Sequence, residues 1–90
     1  MKSFHVASAC KKDLKRIAKR GHDLEPSVRV LNRLAADKPL DASYRDHPLN
    51  GHLRGWRACH IAPDLLLVYR TTDSEVMLAR MGTHAQLFGR

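Results

Sequence analysis

The sequence predicts an α+β domain in which an N-terminal helical hairpin packs on a small, twisted, mostly antiparallel sheet. Apolar residues recur at helical spacing up to about residue 36, and three strand-like segments separated by turn residues follow from residue 56. Residues 65–69 are apolar without alternation, which is typical of a central strand covered on both faces. Helices followed by an antiparallel sheet define the α+β class.

Length and composition exclude several classes of protein. The 90 residues fit one domain spanning residues 1–90. A hydrophobic content of 43% is too high for a disordered basic tail. No apolar run approaches the roughly 20 residues of a membrane span, and the first residues lack the apolar stretch of a secretory signal. Without such segments we expect a cytoplasmic protein that has no contact with membranes. The formal net charge of +7 predicts a polyanionic partner.

The first helix is predicted to carry a strongly basic surface. A short strand over residues 4–7 precedes it, Ser8 is its expected N-cap, and Gly21 ends it after Arg20. Its apolar face comprises Cys10, Leu14, Ile17 and Ala18. The other faces carry Lys11, Lys12, Lys15, Arg16, Lys19 and Arg20, opposed only by Asp13. This basic surface is either merely solvated or binds RNA phosphates, and the net charge favours phosphate binding.

The second helix is expected from Pro26, a favoured first helical residue, to about Ala36, because Lys38 precedes a proline. Its predicted buried face comprises Val28, Leu31, Leu34 and Ala35. Three strands should follow, over residues 56–61, 65–70 and 75–81. Two cysteines cannot form a disulfide framework, and they match no zinc pattern. Cys10 and Cys59 are therefore expected to be small buried hydrophobic residues.

Three of the six histidines are predicted to converge at one end of the sheet. His47 lies in a turn-rich segment before the sheet, His60 inside its first long strand, and His84 in a loop after its last strand. Asp64, in the turn that follows His60, is placed to hold one imidazole in a defined tautomer. Imidazoles accept or donate protons near pH 7, so a pair in opposite protonation states suits acid–base catalysis.

Beside cationic side chains, such a pair suits RNA cleavage. One imidazole removes the 2′-hydroxyl proton, the oxygen attacks the adjacent phosphorus, and the other imidazole protonates the leaving 5′-oxygen. A cation stabilises the charge that develops at phosphorus. Arg57 and Arg80 are candidates, and Arg80 is favoured because strand alternation turns Arg57 away from His60. Trp56 shares the His60 face, where it either stacks on a base or packs against the helices.

The histidines also allow a metal-site hypothesis built on His47, His52 and His60. No close His-x₃-His or Cys-x₂-Cys spacing supports it. We therefore expect no metal and no other cofactor. His5, His22 and His52 are expected to be structural or surface residues.

The second half of the chain resembles the YafQ-type toxins of the RelE superfamily, which belong to type II toxin–antitoxin systems. The matching segments are residues 44–51 (YRDHPLNG), 55–57 (GWR), 59–61 (CHI), 63–69 (PDLLLVY) and 82–89 (GTHAQLFG). A helical hairpin before a sheet also fits this family. The resemblance therefore covers essentially the whole chain and implies a RelE-like fold.

The resemblance implies a ribonuclease that cuts messenger RNA in the ribosomal A site. The family's site residues fall on His47, His60, Asp64, His84 and Phe88. By this analogy His60 and His84 transfer protons, in an order that stays open, and His47 assists with charge or proton transfer. Asp64 orients an imidazole, and Phe88 helps to place a base or phosphate.

The resemblance also implies partners and raises an alternative. The toxin would be silenced by a cognate antitoxin that is acidic or has an acidic arm, and it would meet operator DNA only through that antitoxin. The family usually has an acidic residue two positions before the strand histidine, where this chain has Ala58. That departure favours an alternative function, a catalytically weakened binding module that regulates transcription together with its antitoxin.

Overall fold

The computed structural model describes residues 1–89, and Arg90, the last residue of the expected domain, lies outside the described residues. The elements in chain order are β1 (Ser3–Val6), α1 (Ser8–Lys19), α2 (Glu25–Ala35), β2 (His47–Pro48), β3 (Arg57–Ala62), β4 (Leu65–Thr71), β5 (Glu75–Gly82) and α3 (His84–Phe88). Five strands form one sheet in the order β1-β5-β4-β3-β2. β1 runs parallel to β5 and the other pairs are antiparallel, which confirms the predicted α+β class.

The centre of the sheet is β4, as its unbroken apolar run predicts. Every residue from Leu65 to Tyr69 is buried. Both long helices contribute to the same core: Cys10 and Ile17 of α1 and Val30 and Leu34 of α2 pack with residues of β3, β4 and β5. No helix within residues 1–89 is long and apolar enough to cross a lipid bilayer.

The structure corrects several details of the helices. Ser8 is already inside α1; the N-cap is Ala7, and no side chain caps this terminus. Ala18 is exposed, and Val28 is 46% exposed although it was predicted to be buried. In α2 the buried residues begin with Ser27, followed by Val30 and Leu34. Leu34 and Ala35 are buried as predicted and Leu31 is partly buried, so the buried face of α2 differs from the predicted one at its start, where Ser27 and Val30 are buried in place of Val28.

Asp13 is not a surface residue among lysines; it is 1% exposed. Its Oδ2 accepts hydrogen bonds from Nε of Arg80 at 2.7 Å and from the backbone N–H of Met81 at 3.0 Å. Its Oδ1 accepts from Arg16 at 2.9 Å and from the second Arg80 nitrogen, Nη2, at 3.2 Å. Burial alone would raise the pKa of Asp13, but these hydrogen bonds lower it below its usual value. The carboxylate thus joins α1 to β5.

The cysteines behave as predicted. Cys10 and Cys59 are free thiols with no exposed surface. Burial raises the pKa of Cys10 to about 11 and that of Cys59 to about 12, so both thiols remain protonated and unreactive at neutral pH.

Candidate active site

Three imidazoles and one aromatic ring form a row across one end of the sheet. The ring centroids of His47 and His60 are 6.1 Å apart, those of His60 and His84 are 5.5 Å apart, and those of His84 and Phe88 are 6.2 Å apart. The rings come from β2, β3 and α3, so the tertiary fold gathers side chains that are far apart in sequence. The predicted convergence of the three histidines is present in the structure.

His60 lies in the middle of the row and is only partly exposed. The register between β3 and β4 shifts between His60 and Ala62, an irregularity that re-aims side chains and is common near active sites. Burial lowers the pKa of His60 first, and the charges of Arg45, His84 and His47 lower it further. The lowered pKa favours the neutral, proton-accepting form of His60 at pH 7.

His47 is held by its own chain segment. Its Nδ1 lies 2.7 Å from the carbonyl oxygen of Arg45, and because a carbonyl only accepts, the ring must donate from Nδ1. Nε2 of neutral His47 is then left free to accept a proton. Ala58 pairs with His47 across the strands and is 1% exposed.

Asp46 anchors the segment that carries His47. Its carboxylate accepts a 2.6 Å hydrogen bond from the Tyr69 hydroxyl and a 3.1 Å bond from Nε of Arg57. Burial and the neighbouring carboxylate raise the pKa of Tyr69, which keeps its hydroxyl protonated as a donor. Tyr69 belongs to the buried core, so the chain just before His47 is fixed to the centre of the sheet.

His84 was predicted to lie in a loop, and this is wrong: it is the first residue of α3. The Thr83 hydroxyl accepts from the backbone N–H of Gln86, and the Gln86 side chain accepts from the backbone N–H of Thr83. This reciprocal capping box fixes the start of the helix. The T-x-x-Q spacing in the sequence is the signal that predicts it. Asp64 Oδ1 lies 3.6 Å from Nδ1 of His84, within ion-pair distance.

Gly82 is the point at which α3 packs on the sheet. A Cβ atom there would lie 2.7 Å from Oε1 of Gln86 and 3.4 Å from Cδ2 of Leu87. The Gln86 oxygen is the one that accepts from Thr83, so it cannot move away without opening the capping box.

Substitution Gly82→Ala is therefore expected to loosen α3. Loss of a helix cap costs about 1 kcal/mol, which corresponds to roughly fivefold faster hydrogen exchange at the amides of Leu87 and Gly89. Those amides donate to carbonyls within α3 and its cap. Exchange measured by NMR at these two positions, with the Leu67 amide of β4 as an internal control, tests the prediction. Unchanged exchange in α3 would show that Gln86 accommodates the methyl group.

The two arginines predicted to stabilise the charge at phosphorus each form an ion pair with an aspartate. Arg57 donates to Asp46, and Arg80 donates to Asp13 through two nitrogens. The guanidinium carbon of Arg70 lies 5.9 Å from the ring centroid of Trp56, which contacts it as a cation–π pair. The roles of Arg57, Arg80 and Trp56 toward RNA stay predictions.

The basic surface of α1 is also in place. Its lysines, Lys11, Lys12, Lys15 and Lys19, are exposed, whereas Arg16 is partly buried against Asp13.

Among the described residues, 1–89, no group of three or more His, Cys, Asp or Glu side chains could hold a metal ion.

Two clefts flank the row of rings. One, of ≈ 420 Å³, is lined by residues of the 43–45 segment and by His60 to Pro63; the other, of ≈ 500 Å³, lies between the 49–53 segment and α3. Arg45 belongs to the first cleft, and sequence reasoning did not single it out. His52, expected to be a structural residue, lines the second cleft beside His84.

Comparison with known proteins shows the family to which the chain is similar. Residues 2–89 match the family described as "Bacterial toxin of type II toxin-antitoxin system, YafQ". The mRNA interferase toxin YafQ of Escherichia coli strain K12 is 42% identical over 79 residues, which are 87% of this chain and 86% of that protein.

Solved structures agree with this comparison. A copper-bound mutant toxin from Helicobacter pylori is 35% identical, with a TM-score of 0.94 over 98% of this chain and 100% of that chain. A chain of the E. coli DinJ–YafQ complex is 36% identical, with a TM-score of 0.90 over 99% of this chain and 100% of that one. Fold and site thus define a small α+β toxin with an imidazole cluster. The chain belongs to the YafQ family of type II toxin–antitoxin toxins.

Proposed function

We propose that this toxin is an endoribonuclease that cleaves messenger RNA in the ribosomal A site, without a metal or other cofactor. The observation that carries the proposal is the row of three imidazoles, in which a neutral His60 lies beside His84 and its carboxylate neighbour Asp64. The relative named an mRNA interferase, at 42% identity, supports the same reaction class.

In the proposed mechanism His60 is the general base. It accepts the 2′-hydroxyl proton, the 2′-oxygen forms a bond to phosphorus, and the bond from phosphorus to the 5′-oxygen breaks. Protonated His84 donates its proton to that leaving oxygen, so the products are a 2′,3′-cyclic phosphate and a 5′-hydroxyl. Asp64 orients His84, and Phe88, whose ring is tilted by 50° to that of His84, helps to place a base.

His47 would assist at the other end of the row. Its Nδ1 is engaged by the Arg45 carbonyl, which leaves Nε2 to accept a proton or to hydrogen-bond the substrate. Each proton-transfer role is typically worth a factor of about 10²–10⁴ in rate. The charges of the neighbouring imidazoles lower the pKa of His60 and so favour, before the reaction, the neutral form that accepts the 2′-hydroxyl proton.

The ribosome would supply the positioning that the toxin lacks. His47 and His84 are exposed and the two clefts are open, so a flexible RNA would bind loosely and in many orientations. Holding the message in one geometry can lower the activation free energy of cleavage by several kcal/mol. The lysines of α1 would bind ribosomal RNA phosphates, and binding should therefore weaken steeply with salt.

The proposed partner in the cytoplasm is a cognate antitoxin with an acidic surface or arm. The E. coli relative is found in a complex with DinJ. A positively charged toxin of net charge +7 favours an acidic partner that covers the imidazoles and the α1 lysines. Operator DNA would be reached only through that antitoxin.

A second candidate function is a catalytically weakened binding module. It is favoured by Ala58, because a buried methyl group replaces the carboxylate usual in the family and leaves Asp64 as the one acid in ion-pair range of an imidazole among residues 1–89. Such a protein would bind its antitoxin and regulate transcription without cutting RNA.

Primer extension on a reporter message in a cell-free translation system separates these functions. We expect cuts with the wild-type toxin, none with His60→Ala, and none when an inhibitor blocks ribosome loading. Cuts that persist without ribosomes would retain the nuclease and remove the A-site mechanism. Absence of cuts from a folded wild-type toxin would favour the binding module.

A further inference from the structure

Arg45 has an unusual backbone conformation for its residue type. Its φ is +49°, in the left-handed region that non-glycine residues rarely adopt. It ends the 3₁₀ turn Ala42–Tyr44, and its side chain is exposed. Residues held in this region cost roughly 1–3 kcal/mol and persist where the surrounding structure fixes them, often at functional sites.

The two residues that follow Arg45 fix its backbone. The next residue, Asp46, is bound to the core by the Tyr69 hydroxyl and by Arg57. The residue after it, His47, donates its ring N–H to the Arg45 carbonyl. The backbone at Arg45 is therefore tied to the sheet by one neighbour and to the row of imidazoles by the other.

Arg45 shares a cleft with His60. Both residues line the ≈ 420 Å³ cleft at one side of the row. Arg45 is also the foremost of the charges that oppose protonation of His60, ahead of the two neighbouring imidazoles. No carboxylate within residues 1–89 pairs with Arg45, whereas Arg57 and Arg80 are each bound to an aspartate.

We propose that Arg45 is the phosphate-binding residue of the site, whose guanidinium contacts the non-bridging oxygens of the scissile phosphate beside His60. This inference rests on the proposed ribonuclease function. Strand alternation alone favours Arg80 as the cation that stabilises the charge at phosphorus, and this inference assigns that role to Arg45.

Charge explains why a cation is needed at this position. The scissile phosphodiester carries one negative charge, and a second develops when the 2′-oxygen adds to phosphorus. A guanidinium can donate two parallel hydrogen bonds to phosphate oxygens, and it is always charged. In the free toxin the same charge keeps His60 neutral, so one side chain both binds the phosphate and keeps the base ready to accept a proton.

The test compares Arg45→Gln and Arg45→Lys with Arg29→Gln. Arg29 is exposed on α2 and gives a control of equal charge change. Single-turnover cleavage on translating ribosomes should fall about 100-fold in Arg45→Gln, the loss typical of one transition-state donor, and recover in part in Arg45→Lys. NMR titration should give a higher pKa for His60 in Arg45→Gln and leave it unchanged in Arg29→Gln.

The outcomes separate this inference from the function on which it rests. A wild-type toxin that cuts nothing contradicts the ribonuclease function, whatever the titration gives. A wild-type toxin that cuts, with Arg45→Gln cutting as fast as Arg29→Gln, overturns the role of Arg45 alone. A shift in the pKa of His60 without a loss of rate overturns it as well, because Arg45 would then be a neighbouring charge and no more. Thermal unfolding checks that each variant is folded.

Discussion

Replacement of His84 by alanine is expected to lower the rate of message cleavage by a factor of about 10²–10⁴, the contribution typical of one proton-transfer group. Without His84 the leaving 5′-oxygen must depart unprotonated or take its proton from water. Primer extension over a time course in a translating extract measures the rate directly.

The fold should survive this substitution. The His84 side chain is 50% exposed, and the capping box that begins α3 is made by its neighbours Thr83 and Gln86. We therefore expect the same thermal midpoint as the wild type. His22→Ala is the matched control, since His22 is exposed and takes no part in the row of rings. Cleavage by His84→Ala at the rate of His22→Ala would remove His84 from the mechanism.

Substitution Asp13→Asn is expected to lower the free energy of unfolding by about 3 kcal/mol. Each Asp13 oxygen accepts two hydrogen bonds, so either orientation of an asparagine amide turns its NH₂ group toward two donors. Breaking a buried ion pair typically costs 3–5 kcal/mol, and the lower end applies because Arg16 and Arg80 are partly exposed to water. For a 90-residue domain this is a large part of a total of about 5–13 kcal/mol.

Denaturant unfolding measures this loss, and Asp37→Asn is the control. Asp37 pairs with Lys2 at the surface, where its side chain is 78% exposed, so its substitution should cost less than about 1 kcal/mol. Equal effects of the two substitutions would show that burial of the Asp13 pair contributes nothing.

The contribution of Asp13 to the free energy of unfolding falls as the pH is lowered. The pKa of Asp13 is lowered in the folded protein, so its contribution is fully present above its unfolded value of about 3.9 and is lost as the pH falls through the folded value. The wild type should lose stability on acidification more steeply than Asp13→Asn in this acid range.

Local patterns in the sequence were sufficient for the fold class and the main strands. The apolar run at 65–69 has no periodicity because β4 is covered on both faces, and that single feature identifies the centre of the sheet. The convergence of His47, His60 and His84 was also predictable. The segment before the sheet, its first long strand and the segment after its last strand can meet at one end of the sheet, and the three rings do lie together there.

The details that escaped prediction depend on contacts between distant residues. Asp13 is a surface acid by local pattern, and only the fold brings Arg80 to it. In α2, Val28 and Val30 have the same hydrophobicity, and the position of the sheet decides which one is buried. Arg45 gives no signal in the sequence, because its significance arises from a left-handed backbone and a neighbour bound to the core.

The pairing of β1 with β5 has a consequence for how the toxin is made. β1 is the first of the five strands to be synthesised and β5 the last, yet the two strands pair, and Asp13 bonds to Arg80, 67 positions later. Contacts this distant form only when the intervening chain has been synthesised. His84 follows β5 in the chain, so the row of imidazoles is complete only after all five strands have been synthesised.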